Sequence, residues 1–152
     1  MSLVFAYGSN LNREQMLARC PSSRIVVAAT LHGAALTFAG FSVRWGGPVA
    51  TFIGRRKATL PGLLYRVDPI DLWRLDGYEG APHTYARVLV NVISAETRRE
   101  APAIAYKLTS DWNMGELPSM DYLCTIDRAY RDLGFDRGHL FRAAFRQRAR
   151  SD

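Results

Sequence analysis

The chain has 152 residues, 48% of them hydrophobic and 22% charged, with a formal net charge of +6 and a pI near 9.7. That length and apolar content suit a single domain over 1–152 with one sizeable core, and no linker, repeat or low-complexity segment divides it. No apolar stretch approaches the roughly 18 to 20 residues of a membrane span, and no basic region leads into an apolar signal segment, so the expectation is a cytoplasmic protein without a membrane partner.

An apolar strand near 2–6 runs into Tyr7-Gly8-Ser9-Asn10-Leu11-Asn12, a tight polar loop. Gly8 is free to take a positive φ, which would let the amides of Ser9, Asn10 and Leu11 converge on a small anion. Asn12 and Gln15 fit a capping box at the start of a helix near 13–20, which adds unpaired donors at the same place. Strands follow near 25–32, 34–39, 49–53 and 61–67, with Arg55-Arg56-Lys57 read as a loop. Asp68 can cap a helix over 69–78, with Pro69 at its first position and Leu72 and Leu75 on the apolar face. Just beyond it stands Glu79, a carboxylate between Gly77 and Gly80 that is positioned to aim into a cavity.

Val88 to Ile93 is apolar on both sides for most of its run, the pattern of a strand buried on both faces or in a closed sheet. Ile104, Tyr106 and Leu108 form another strand, and Tyr122, Leu123, Ile126, Ala129, Tyr130 and Leu133 keep helical spacing up to Gly134. Leu140, Phe141, Ala144 and Phe145 give the last helix an apolar face, leaving Arg142, Arg146, Arg148 and Arg150 to a solvated one. Strands fill the middle and helices flank them, an α+β arrangement.

Cys20 and Cys124 are too few for a disulfide framework and read as buried thiols. His32, His83 and His139 lack ligand spacing, so no metal is expected. There is no phosphate-binding glycine fingerprint, and Ser9 has no nucleophile-elbow context. What remains is acid/base chemistry with no cofactor.

Beyond single motifs, five landmarks in order resemble the γ-glutamylcyclotransferase-like proteins: Phe5 to Leu11, Trp45 to Thr51, Pro61 to Tyr65 leading into Leu75 to Gly80, Tyr85 with Ala105-Tyr106, and Pro118 to Tyr122. The chain departs from that pattern at Asp76-Gly77-Tyr78 and in an insertion-like Trp112 to Gly115. The resemblance implies a small mixed closed β-barrel with helices outside. It also implies that Tyr7, Gly8, Ser9, Asn10, Leu11 and Asn12 hold a γ-glutamyl group, that Glu79 is the catalytic acid/base, and that Tyr106 and Tyr122 line the pocket.

The implied reaction closes the γ-glutamyl group on itself to give 5-oxoproline and releases the attached amine. One carboxyl suffices to shuttle the proton, and burial would raise its pKa for that work. Whether the loop donors take the substrate carboxylate or the growing oxyanion stays open. So does the leaving group: an amino acid, the cysteinylglycine of glutathione, or a simple amine. The expected partner is a small γ-glutamyl compound, with a homodimer left open. A catalytically dead binding module of the same fold is the first alternative. The second is a nucleic-acid adaptor using the arginine-rich end; nucleic acid is not the expected partner, and such binding would weaken steeply with salt.

Overall fold

A computed structural model describes residues 1–151, with side chains described through Phe145. Its strands are β1 (Ser2–Ala6), β2 (Arg24–Ser42), β3 (Gly47–Val67), β4 (Tyr85–Ser94) and β5 (Glu100–Leu108). The helices are α1 (Arg13–Arg19), α2 (Pro69–Glu79), α3 (Met120–Leu133) and α4 (Arg137–Ser151), with a 3-10 turn at Ser9–Leu11.

The strands close into a barrel in the order β1-β3-β2-β4-β5. Four neighbouring pairs are antiparallel, and the ring is sealed by a parallel pairing of β1 with β5 at Val4 and Ile104. The expected mixed closed barrel flanked by helices is therefore what the chain forms. β1 sits between β3 and β5, so the loop that leaves its end is held from both sides. Phe5, Phe38, Leu60, Leu64 and Tyr65 are buried strand residues of the barrel, all with at most 2% exposure. Outside it, Leu75 of α2, Ile126 and Tyr130 of α3, and Leu140 of α4 are fully buried.

Two expected strand pairs merge. The strands read near 25–32 and 34–39 are one element, β2, in which Gly33 takes a φ of 76° at a register irregularity and bends the strand without ending it. Likewise 49–53 and 61–67 both belong to β3. Arg55-Arg56-Lys57, read as a loop, lies within that strand, but the ladder passes from Thr59 opposite His32 to Gly54 opposite Ala34. The basic run therefore bulges out of the pairing, and Lys57 carries a φ of 68°.

For β4 the second of the two expected patterns, a strand in a closed sheet, is the one formed. Val88, Val90 and Val92 turn towards the core, whereas Leu89 on the opposite face is 78% exposed. The strand belongs to the closed sheet but is not buried on both faces.

The helices follow their sequence signals. Asp68 accepts the Asp71 amide at 2.8 Å and Pro69 occupies the first turn of α2, which Gly80 ends at a φ of 66°. Ser119 caps α3 by accepting the Tyr122 amide, and Gly134 closes it at a φ of 73°. Asp127 of α3 pairs with Arg137 of α4 through two hydrogen bonds of 2.7 and 2.9 Å. On α4, Leu140 and Ala144 are buried but Phe145 is 48% exposed, and Arg142 pairs with Asp136. The side chains of Arg146, Arg148 and Arg150, assigned above to a solvated face, lie outside the described residues. Cys20 is buried, and that environment raises its thiol pKa to about 11; Cys124 is exposed, contrary to the expectation of two buried thiols.

Among the described residues no helix is long and apolar enough to cross a membrane, and no group of His, Cys, Asp and Glu is gathered to hold a metal ion.

Candidate active site

The loop after β1 is shaped by close packing. Gly8 has a φ of −114°, so the left-handed geometry expected of it is not used. A glycine fits here for another reason: a Cβ would stand 3.1 Å from Cβ of Ala50 on β3 and 3.6 Å from the Tyr122 hydroxyl. The loop thus lies directly on the barrel rim. In the 3-10 turn, Leu11 N–H donates to Gly8 O at 3.0 Å and Asn12 N–H to Ser9 O at 2.9 Å. Those bonds remove the Leu11 amide from the expected set of anion donors. The Ser9 and Asn10 amides precede the first hydrogen bond of the turn and are the ones left over.

Half of the expected capping box forms. Asn12 Oδ1 accepts the Gln15 amide at 3.0 Å, but the Gln15 side chain does not reach back to residue 12. Instead its Nε2 donates to Ser9 Oγ at 2.8 Å and to Asn10 Oδ1 at 3.1 Å. Arg19, one turn further along the same face of α1, donates from Nη1 to the same Asn10 oxygen at 3.1 Å. Two donors on Oδ1 fix which way the Asn10 amide points. Its Nδ2 is thereby directed at Glu79 Oε1, 3.0 Å away.

Glu79 is the last residue of α2, rather than lying just beyond the helix. Its side chain is 14% exposed. Burial raises the carboxyl pKa, outweighing the opposite pull of Arg19, 3.8 Å away, and of the Asn10 hydrogen bond. The C-terminal end of a helix also disfavours a negative charge, which acts in the same direction. Arg19 is lowered in turn, first by its own burial and against the pull of Glu79.

These opposing effects make a direct expectation. Asn10→Ala should move the Glu79 titration to higher pH, because the lost hydrogen bond favours the charged carboxylate. Carboxyl-detected NMR of the parent and the variant checks it, and a shift to lower pH would contradict the assigned polarity.

Around Glu79 lie four tyrosines. Tyr7 donates to the Tyr106 carbonyl, and Tyr85 donates to the Ala50 carbonyl at 2.6 Å. The Tyr106 hydroxyl is engaged with Asp76 Oδ1, and Arg87 holds the same carboxylate through two hydrogen bonds. Tyr106 thus forms a wall and ties the last turn of α2 to β5; its phenol does not reach Glu79. The Tyr122 hydroxyl accepts the Ala50 amide at 2.8 Å, and its own proton has no acceptor among the described residues. Burial raises the pKa of all four phenols, so they stay protonated at neutral pH.

Tyr7, Gly8, Ser9, Asn10, Glu79, Tyr106 and Tyr122 all line one small pocket of about 50 Å³. Ser9, Glu79, Tyr85 and Tyr122 also line a larger outer cavity of about 410 Å³. Leu11 and Asn12 border neither: Leu11 is buried in the core, and the Asn12 side chain caps α1. Arg19 escaped notice in the sequence, and Tyr85 entered only as a landmark of the family resemblance, with no role at the site assigned to it. The i, i+4 spacing of Gln15 and Arg19 on the helix after the loop was the available signal for the first.

Residues 4–124 match the family model described as Gamma-glutamyl cyclotransferase, AIG2-like. The chain belongs to this family. Over 112 residues it is 30% identical to a Gamma-glutamylcyclotransferase of Mus musculus, covering 71% of this chain and 60% of the mouse protein. The chain thus spans less than two thirds of that curated relative. Among solved structures, one named Gamma-glutamyl cyclotransferase is similar with a TM-score of 0.84 and 26% identity over 93% of this chain and 85% of that one. YkqA from Bacillus subtilis shares the fold at a TM-score of 0.77 with 20% identity, over 97% of this chain and 54% of that one. In this member of the Gamma-glutamyl cyclotransferase, AIG2-like family, the barrel-rim loop and the end of α2 meet at a buried carboxyl.

Proposed function

We propose that the protein is a cyclotransferase that converts a γ-glutamyl amide or peptide into 5-oxoproline and a free amine or amino acid. The observation that carries this reading is the buried Glu79 carboxyl, its pKa raised, hydrogen-bonded to Asn10 of the loop and facing the small pocket.

In this scheme the substrate supplies its own nucleophile. Its α-amine attacks the γ-carbonyl carbon, forming the ring C–N bond; collapse of the tetrahedral intermediate then breaks the bond to the leaving nitrogen. Glu79 takes the proton lost by the attacking amine and delivers it to the leaving nitrogen, so it ends as it began and no water is consumed. A carboxyl with a raised pKa suits both halves of that transfer.

The Ser9 and Asn10 amides, with the unassigned Tyr122 proton, face the negative oxygens of the γ-glutamyl group. Walls built from Tyr7, Tyr85 and Tyr106 keep the flexible glutamyl chain folded. Intramolecular alignment of this kind contributes up to ~7–11 kcal/mol, which explains how a site with one titrating side chain can suffice. Incubation with a panel of γ-glutamyl amino acids, peptides and amines, followed by assay of 5-oxoproline, should show release from at least one. Release from none overturns the proposal.

A further inference from the structure

The outer cavity next to Glu79 has an unequal charge balance. Apart from Glu79 itself, the charged side chains on its wall are Arg19 and Arg44. Arg44 is exposed, rests on the Trp45 ring with its guanidinium 5.3 Å from the centroid, and has no carboxylate within ion-pair distance among the described residues. Arg19 is 8% exposed and stacks on Tyr78 at 5.0 Å. Its Nη1 bonds Asn10, yet its buried Nε has no partner among the described residues.

The two cations are near enough for Arg44 to contribute to lowering the Arg19 pKa, after the larger effect of burial. Two guanidiniums facing one cavity repel each other unless an anion lies between them. A guanidinium donates well to a carboxylate, and its planar face stacks on aromatic rings, which holds its donors in place.

We propose that this cavity is the leaving-group subsite and that it selects leaving groups carrying a carboxylate, with Arg44 as the specificity-determining residue. The substrate class is then a γ-glutamyl amino acid or peptide, not a γ-glutamyl derivative of a simple amine. This inference rests on the cyclotransferase reading for the position of the scissile bond, but the charge preference of the cavity is a separate property. Placement fits the chemistry: a γ-glutamyl group folded against the loop leaves its amide nitrogen beside Glu79, and whatever hangs from that nitrogen extends past Tyr122 towards Trp45 and the arginines.

The test compares γ-glutamyl-L-alanine with γ-glutamylethylamine, which differ only by the leaving-group carboxylate. The parent should prefer the alanine compound by about tenfold or more in kcat/KM, the size expected of a hydrogen-bonded ion pair. Arg44→Ala should cut that preference several-fold through KM, Arg44→Lys should keep most of it, and added salt should shrink it in the parent. Equal use of both compounds by the parent, or a preference untouched by Arg44→Ala, overturns the proposal. If the parent releases 5-oxoproline from neither, the catalytic reading fails, and calorimetric binding of the same pair decides the subsite. Tighter binding of the alanine compound that depends on Arg44 supports it, while equal binding or none overturns it.

Discussion

Glu79→Gln is expected to keep the fold and substrate affinity while losing turnover by ~10²-fold or more, the usual contribution of a general acid/base. Glutamine fills the same space at the end of α2 and can still accept the Asn10 Nδ2 hydrogen bond through its carbonyl oxygen. It cannot take a proton from the attacking amine. Steady-state kinetics with the best γ-glutamyl substrate should therefore show the loss in kcat with little change in binding, the mark of an interaction made in the transition state. Turnover at the parent rate would exclude Glu79 as the proton shuttle. The parent pH profile offers a companion measurement: its acidic limb should lie above the ordinary carboxylate range, because burial raises the pKa of this group.

The largest expected effect on stability comes from Gly62→Ala. Gly62 lies in β3 beside β1, where a Cβ would fall 2.4 Å from the Ala6 carbonyl oxygen and 2.6 Å from the Phe5 ring. The ring is fully buried and the carbonyl belongs to the barrel backbone, so neither can withdraw cheaply. Overpacking of this kind costs about 3 kcal/mol, which for a chain of this length lowers the melting temperature by roughly 10 °C. Gly54→Ala, on the same strand with open space around its Cβ, is the control and should change stability little. Equal melting temperatures for the two variants would show that β1 and β3 are not packed this closely. Since Ala6 precedes Tyr7, strain at Gly62 should also reach the loop.

Helix positions were legible because their signals are local. Asp68 and Pro69 mark the start of α2, and Gly134 marks the end of α3, through backbone chemistry confined to a few residues. The strands were harder. Gly33 looks like a break in sequence, but whether a glycine with positive φ ends a strand or bends it depends on the strand alongside. For the same reason Arg55-Arg56-Lys57 could not be distinguished from a loop. Leu89 misled because its apolar side chain faces outward, and the alternation of β4 is visible only once its inward face is known.

At the site, the loop and the glutamate stood out by residue type, and the family pattern linked them across the 69 residues from Asn10 to Glu79. What remained hidden was division of labour. That Tyr106 is occupied by Asp76, that Leu11 closes a turn, and that Arg19 fixes the Asn10 amide are consequences of which groups meet, and meeting is a property of the barrel.

The segment around Trp112 is bound to the end of β2: Gly40 N–H donates to the Trp112 carbonyl at 2.6 Å, and Asn113 Nδ2 donates to the Gly40 carbonyl at 3.0 Å. Gly40 and Arg44 both border the outer cavity, whereas Asn10 and Glu79 are held by α1 and α2. Under the proposed scheme, Arg44 and the carboxyl of Glu79 are therefore carried by different elements, although Arg19 serves both sides. In protein engineering that separation sets the unit of exchange: residues 40–46 and 110–115 would have to be transplanted together, as a matched cassette, to reshape the outer cavity while leaving the carboxyl of Glu79 in place.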